Sequence, residues 1–378
     1  MNPIFYPILI NSCFRFFSQI LVFFLPIFLT QNGLSGLQIG ILLFIYTITG
    51  ILSTLPIGYL NDRIHSRKLI IFGICFYILY LLALSFFNNF LIFIPFFIFG
   101  GMGSNWVFIS LDSMFFRLTN NIDPISKIKN LNSFIFLFAG LGAITGSQII
   151  GLLNFQITFR LMAVFMIFLV LIALKAPNTP TFRFELSHYG KEVWKKKVIL
   201  FLLIFFIIAM HFGAESTSYA LFLKNNLGLS IQGIGVYIGL AVILMFFWVR
   251  LGTSMLKKGL NIISLLQIGL LLSGTFHILM TDSNLYFSFF SRVIHEAGDA
   301  FLSICLYLGI SRIFSLERIG GLSSLITFTN TLAMSLGALI YGHVGEKYGY
   351  EWPLILSGIG TLLALILVRV WKKENKIF

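Results

Sequence analysis

Charge is scarce in this chain. Asp and Glu number 13 and Lys and Arg 26 among 378 residues, a charged share well under the quarter usual for soluble domains. So few charges cannot clothe a soluble fold, and a nucleic-acid-binding domain, which needs a solvated basic face, is excluded with it. Cysteine is rarer still. Cys13, Cys75 and Cys305 are odd in number, sit inside apolar runs and are too scattered for a disulfide framework or a metal site, so they are assigned to packing. Also missing is any Gly-x-x-x-x-Gly-Lys-Ser/Thr loop, and the polar stretch 175–197 is too short for a nucleotide-binding domain. No catalytic constellation, metal or cofactor is expected.

What fills the chain instead is apolar. Hydrophobic residues make up 58%, Phe alone accounts for 44 positions, and the mean hydropathy is +0.96. Runs of about twenty apolar residues recur along the length, as a hydrocarbon core of roughly 30 Å requires of spanning helices. They lack the strict alternation of a membrane β-barrel. The expected fold is an all-α membrane protein with twelve transmembrane helices. The spans are 3–29, 38–60, 69–88, 90–117, 131–153, 157–174, 198–223, 231–252, 260–280, 285–313, 320–343 and 352–370. The first carries Arg15 in its middle and lacks a small-residue cleavage site, so it is read as part of the mature protein.

Basic residues orient the spans. With both termini on one side, that side collects 21 of the 26 Lys and Arg, from Arg63, Arg67 and Lys68 through Lys175, Arg183, Lys191 and Lys195–Lys197 to Arg318, Lys372 and Lys376. Arg160, Lys224 and Lys347 are left opposite. The crowded side is expected to be the cytoplasm. High Phe, Ile, Asn and Lys suggest an AT-rich genome, hence the inner (plasma) membrane of a prokaryote.

The chain reads as one unit duplicated. Gly33-Leu34-Ser35 with Ile39-Gly40 returns as Gly228-Leu229-Ser230 with Ile234-Gly235, an offset of 195 residues. Gly103 and Arg117 match Gly298 and Arg312 at the same offset, and Leu131, Ser133, Gly146 and Gly151 match Leu322, Ser324, Gly337 and Gly342 at 191. Two pseudo-symmetric six-helix bundles are expected, 1–174 and 198–371, joined by a cytoplasmic linker 175–197 and followed by a tail 372–378.

After the second span, Gly58-Tyr59-Leu60-Asn61-Asp62-Arg63-Ile64-His65-Ser66-Arg67-Lys68 resembles the signature loop of the major facilitator superfamily. Gly58, Asp62, Arg63, Arg67 and Lys68 match it; His65 and Ser66 stand where the family usually has Gly and a basic residue. In the second half Gly252, Lys257 and Lys258 keep the place, but Leu256 replaces the Asp. Gly58 allows close helix approach, and Asp62 with the basic cluster suits ion pairs that hold the cytoplasmic side shut. A solvated loop serving topology alone is the plainer account. Span five, with Gly140, Gly142, Gly146 and Gly151, is similar to the Gly-rich fifth helix of family exporters, without its Pro; close helix packing also explains those glycines.

The resemblance implies an alternating-access carrier in which spans one, four, seven and ten line a central cavity. Those spans hold the six charges set deepest in apolar sequence: Arg15, Asp112, Glu215, Arg292, Glu296 and Asp299. An Arg, Lys or Asp at the middle of a spanning helix costs about 2.5–3.5 kcal/mol, so they are expected to line an internal cavity. At about 100° per residue, Arg292, His295, Glu296 and Asp299 share one face of span ten, and His211 and Glu215 share one of span seven. Arg15 lies near Gln19, and Asn105 and Trp106 lie on span four. Asp112 and Arg117, near the end of span four, are assigned to the cytoplasmic gate with the loop cluster.

Two readings of the span-ten row stand. Arg292 with Glu296 and His295 with Asp299 form a self-satisfied seam, or Glu296, Asp299 or Glu215 binds a coupling proton that His295 relays. Arg15 and Arg292 suit an anionic substrate group or serve as counter-ions. Trp106 stacks on a substrate ring or packs, and His277, alone in span nine, is taken as structural. The Arg292-x-x-His295 spacing is similar to the lactose and phenylpropionate permease branch. The expectation is a monomeric proton-coupled carrier of a small organic solute. Proton-antiport efflux and a non-transporting sensor or lipid-handling protein are the alternatives.

Overall fold

The computed structural model describes residues 5–34, 36–181, 194–314 and 319–374. Ser35, Arg183, Lys191, Arg318 and Lys376, used above for repeat and orientation, lie outside the described residues. Among the described residues, 12 helices are long and apolar enough to cross a membrane, as their runs of apolar sequence require. They are α1 (Phe5–Gln31), α2 (Gly36–Arg63), α3 (Ser66–Phe86), α4 (Phe90–Leu118), α5 (Pro124–Leu152) and α6 (Phe155–Leu174). Then follow α7 (Lys196–Asn225), α8 (Ile231–Lys257), α9 (Ile262–Leu279), α10 (Leu285–Ile313), α11 (Ile319–Tyr348) and α12 (Glu351–Glu374).

Most ends fall within a few residues of the sequence reading. α5 departs most, starting at Pro124 rather than 131, and α8 and α11 each run five residues past the expected end. Asp123 accepts from the Ser126 backbone N–H at 3.0 Å and Pro124 follows, an N-cap with proline in the first helical position. Hydrogen bonding, first from the Ser126 hydroxyl, holds the Asp123 carboxyl below its ordinary range. The polar sequence before Leu131 masked this extra helical stretch.

By contact the chain forms two compact units. One is Met1–Asn121 with Thr145–Glu185 and Phe314–Phe328; the other is Ile122–Ile144 with Leu186–Ile313 and Thr329–Phe378. Within the first, α4 packs on α2 and α3, and α6 packs on α3 and α1. Within the second, α10 packs on α8 and α9, and α12 packs on α9 and α7. The second pattern is the first displaced by six helices, which is what a duplicated sequence dictates.

Glycine makes the central crossing of each unit. A Cβ on Gly103 of α4 would stand 2.7 Å from the Gly73 carbonyl of α3, and one on Gly298 of α10 would stand 2.7 Å from the Gly269 carbonyl of α9. Backbones this close exclude any side chain. Gly33 and Gly228, matched in the repeat, both turn the chain with positive φ, at 78° and 67°, where glycine carries no Cβ penalty.

Two local features position the site. α10 is the most buried span, with 72% of its apolar window inside the protein, so its charges are kept from lipid. α7 changes winding at Glu215–Tyr219, which is π-helical. The hydroxyls of Ser216 and Thr217 donate back to the Gly213 carbonyl at 2.9 and 3.0 Å. Hydroxyls bonding back to the preceding turn bend a helix, and single π turns recur at functional sites.

Candidate functional site

The ionisable row of α10 is buried, with Arg292, His295, Glu296 and Asp299 between 0% and 6% exposed. They face protein rather than acyl chains. Two of their contacts are the seam that helical spacing dictates: Arg292 Nη2 lies 2.6 Å from Glu296 Oε1, and His295 Nε2 lies 3.4 Å from Asp299 Oδ2.

α7 adds a cross-helix layer. Glu215 takes both guanidinium nitrogens of Arg292, Oε1 closely from Nη1 and Oε2 from Nη2 at 3.3 Å. The Arg292 guanidinium also lies over the Tyr219 ring, 4.6 Å from its centroid, so both ends of the π turn engage one arginine. His211, a turn earlier, places Nε2 3.3 Å from Asp299 Oδ2. The seam is therefore not closed on itself: Glu215 and His211 draw each α10 pair into one network.

His295 is the pivot. Its Nδ1 lies 2.9 Å from the Ser273 carbonyl oxygen, which only accepts, so Nδ1 carries hydrogen and donates. Its Nε2 then faces Glu215 Oε1 at 3.2 Å and Asp299 Oδ2 at 3.4 Å. A neutral ring with Nδ1–H turns a lone pair on Nε2 toward carboxylate oxygens, which are also acceptors. The contact is satisfied only if a cation lies between them, the simplest being a proton on Nε2 or on a facing carboxyl. With one guanidinium against three carboxylates, the ionised cluster carries a formal charge of −2 before any histidine is charged.

His277, alone in its span and expected to be structural, belongs to this cluster. Its ring centroid is 4.6 Å from that of His295 and 5.2 Å from that of His211. Nδ1 lies 4.0 Å from Glu215 Oε1, and Nε2 lies 3.2 Å from Ser357 Oγ. A signal was present, since Gly269, Ser273 and His277 recur every fourth residue and form the α9 face packed on α10.

The other unit holds the remaining candidates. Arg15 is half-buried on α1, with its guanidinium 4.1 Å from the Phe108 ring centroid, and Gln19 is half-buried one turn on. Asn105 donates to the Gly101 carbonyl at 3.2 Å and packs on Gly50 of α2. Trp106 packs beside Ile57, Leu69 and Ile109, 5.4 Å from the Phe76 ring. Its placement is that of a helix-packing aromatic.

In the last turn of α2, Asp62 pairs with Arg117 of α4, both buried. Arg117 Nη1 also donates to the Asn61 carbonyl at 2.6 Å and the Pro180 carbonyl at 2.9 Å. The linker is fastened again by Arg67 to the Ala176 carbonyl at 3.1 Å, His65 Nδ1 to the Thr179 carbonyl at 2.7 Å, and Ser66 N–H to Thr179 Oγ1 at 2.9 Å. Gly58 is buried, Arg63 lies over the Tyr59 ring at 4.4 Å, Lys68 is exposed and Asp112 is half-buried.

Twelve helices long and apolar enough to span a membrane among the described residues, with the ionisable row of α10 kept inside the helical packing, define a polytopic integral membrane protein. The family model for the Major Facilitator Superfamily matches residues 8–272 and 235–377, and the chain belongs to that superfamily, whose members are transporters and not enzymes. Over 226 residues it is 31% identical to an uncharacterized transporter of Buchnera aphidicola subsp. Schizaphis graminum (strain Sg), covering 56% of each chain; the match thus spans about half of that relative. The human organic anion transporter MFSD10 (TETRAN) has a similar crystal structure, with TM-score 0.82 and 14% identity over 97% of this chain and 99% of that one. So has a bacterial homologue of the iron transporter ferroportin in an outward-facing state, with TM-score 0.73 and 18% identity over 99% and 100%. At these identities the likeness concerns fold alone.

Proposed function

We propose that this protein is a secondary active transporter that moves a small organic solute by alternating access and draws its energy from a proton gradient. The observation that carries the reading is His295, fixed by the Ser273 carbonyl as an Nδ1–H donor with Nε2 against Glu215 and Asp299. That geometry supports a proton shared in a buried setting, the simplest cation that satisfies facing acceptors. A proton with three alternative holders on two helices is released when the helices shift, which is how a gradient couples to a conformational change.

Roles follow from the contacts. Glu215 and Asp299 hold the proton with His295, Glu296 keeps Arg292 neutralised when Glu215 is protonated, and Arg292 ties α7 to α10 or meets an anionic solute group. Arg15, Gln19 and Asn105 of the first unit contact the solute. The Asp62–Arg117 pair, with Arg63, Arg67 and Lys68 beside it, is the latch of the cytoplasmic gate. The working unit is a monomer of two six-helix bundles divided at the linker 175–197, in a prokaryotic inner membrane with both termini cytoplasmic. The basic residues clustered at one set of loops support that orientation.

The test is flux in vesicles containing the purified protein. Compounds that raise its unfolding temperature are chosen as solutes, and uptake is measured with and without an imposed pH gradient. Gradient-driven accumulation is expected. Flux indifferent to the gradient removes proton coupling, and no flux of any stabilising compound removes transport.

A further inference from the structure

We infer that the cluster at the α7–α9–α10 junction is a binding site for a divalent first-row transition-metal ion of the Zn2+ class, held by His211, Glu215, His277 and His295. One ligand atom from each of these four side chains lies within 4.8 Å of the other three. Tetrahedral ligands about 2.0–2.1 Å from zinc stand about 3.4 Å apart, so side-chain adjustment closes the set. The donors come from three helices, which is why no ligand spacing is visible in the sequence.

The support around the imidazoles is what a metal site needs. A ligating histidine gives its outer N–H to an oxygen, and this fixes the tautomer and aims the other nitrogen. His295 gives Nδ1–H to the Ser273 carbonyl at 2.9 Å and turns Nε2 to Glu215 Oε1 at 3.2 Å. His277 has Ser357 Oγ 3.2 Å from Nε2 and turns Nδ1 to the same Glu215 oxygen at 4.0 Å. His211 is 1% exposed, with Nε2 facing Asp299 Oδ2 at 3.3 Å and Nδ1 without a hydrogen bond among the described residues, and His277 Nδ1 makes none either. Buried donors left without hydrogen bonds are costly, so a ligand that accepts their lone pairs stabilises the site.

Charge and donor type select the ion. Three carboxylates against Arg292 leave a formal −2, which one divalent cation neutralises with all three imidazoles neutral. Metal binding would take Glu215 Oε1 from Arg292 Nη1, leaving Arg292 held by Glu215 Oε2 at 3.3 Å and by Glu296 at 2.6 Å from Nη2. Three imidazoles and one carboxylate suit zinc, cobalt or nickel, whereas Mg2+ and Ca2+ require oxygen shells.

The metal would take the His295–Glu215 contact that the transport reading gives to a proton, so the two cations exclude each other there; the test reads binding, which fails or succeeds independently of flux. The full chain, in detergent and freed of any polyhistidine tag, is titrated with Zn2+, Co2+, Mg2+ and Ca2+ by calorimetry at one fixed pH. One Zn2+ or Co2+ per chain is expected, with no heat from Mg2+ or Ca2+. His277→Ala and His211→Ala are each expected to weaken Zn2+ at least tenfold. Where a variant does not fold, X-ray absorption of the zinc-loaded wild type decides, with scattering from two or more imidazoles expected. Absence of saturable Zn2+ binding, unchanged affinity in both variants, or a shell without imidazole overturns the proposal.

Discussion

Glu215 of α7 and His295 of α10 face each other at 3.2 Å, oxygen to ring nitrogen, while the other nitrogen of that ring is committed to the Ser273 carbonyl. The contact requires a cation between two acceptors. Everything proposed about energy coupling grows from it, because a proton shared by two helices is sensitive to their relative position.

Glu215→Gln keeps the shape of the side chain and removes its charge. The contact with Arg292 falls from a charge-assisted pair to a neutral hydrogen bond, and His295 loses its partner for a shared proton. Gradient-driven solute accumulation is expected to drop at least about tenfold, the scale of a lost charge-assisted bond of about 1.5–3 kcal/mol. Gradient-independent exchange of labelled for unlabelled solute persists. Loss of exchange and accumulation in equal measure would assign Glu215 to solute binding instead.

The Asp62–Arg117 pair has both side chains almost wholly buried. Asp62→Asn leaves a guanidinium without its carboxylate, and removing one member of a buried pair costs about 3–5 kcal/mol. Asp62→Asn is therefore expected to lower the unfolding temperature as well as slow transport. Asp62→Asn combined with Arg117→Met restores most of the stability and none of the transport rate. A double variant as fast as the wild type would reduce the pair to a structural tie.

Gly298 separates packing from chemistry. Its Cβ would meet backbone of α9 at Ser273 and Gly269, whereas a Cβ on Gly360 of α12 meets nothing within 4 Å. Gly298→Ala is expected to cost about 1–3 kcal/mol by forcing α9 and α10 apart, and with it the His295–Ser273 bond. Gly360→Ala is neutral or stabilising. Thermal unfolding of the two variants side by side checks this; equal midpoints would mean that α9 yields without strain.

Much of this was legible in the sequence. The spans followed from apolar length, and the face shared by Arg292, His295, Glu296 and Asp299 followed from helical periodicity alone. Partner choice was not legible. Asp62 was assigned to the basic loop cluster, yet its carboxylate meets Arg117, because the crossing of α2 on α4 sets that distance. His277 was passed over because a lone histidine carries no pattern, although the small residues at Gly269 and Ser273 marked its face. The π turn at Glu215 was marked locally only by Ser216 and Thr217, whose hydroxyls bond back to the Gly213 carbonyl, a pattern common in ordinary helices.

Proton movement itself is the most direct measurement. Vesicles carrying the protein and a trapped pH dye, with the membrane potential clamped, are given a solute that stabilises the protein. The account predicts a change in lumenal pH that tracks solute entry in the wild type and disappears in His295→Gln. Solute entering at constant lumenal pH, or an undiminished pH change in His295→Gln, contradicts it.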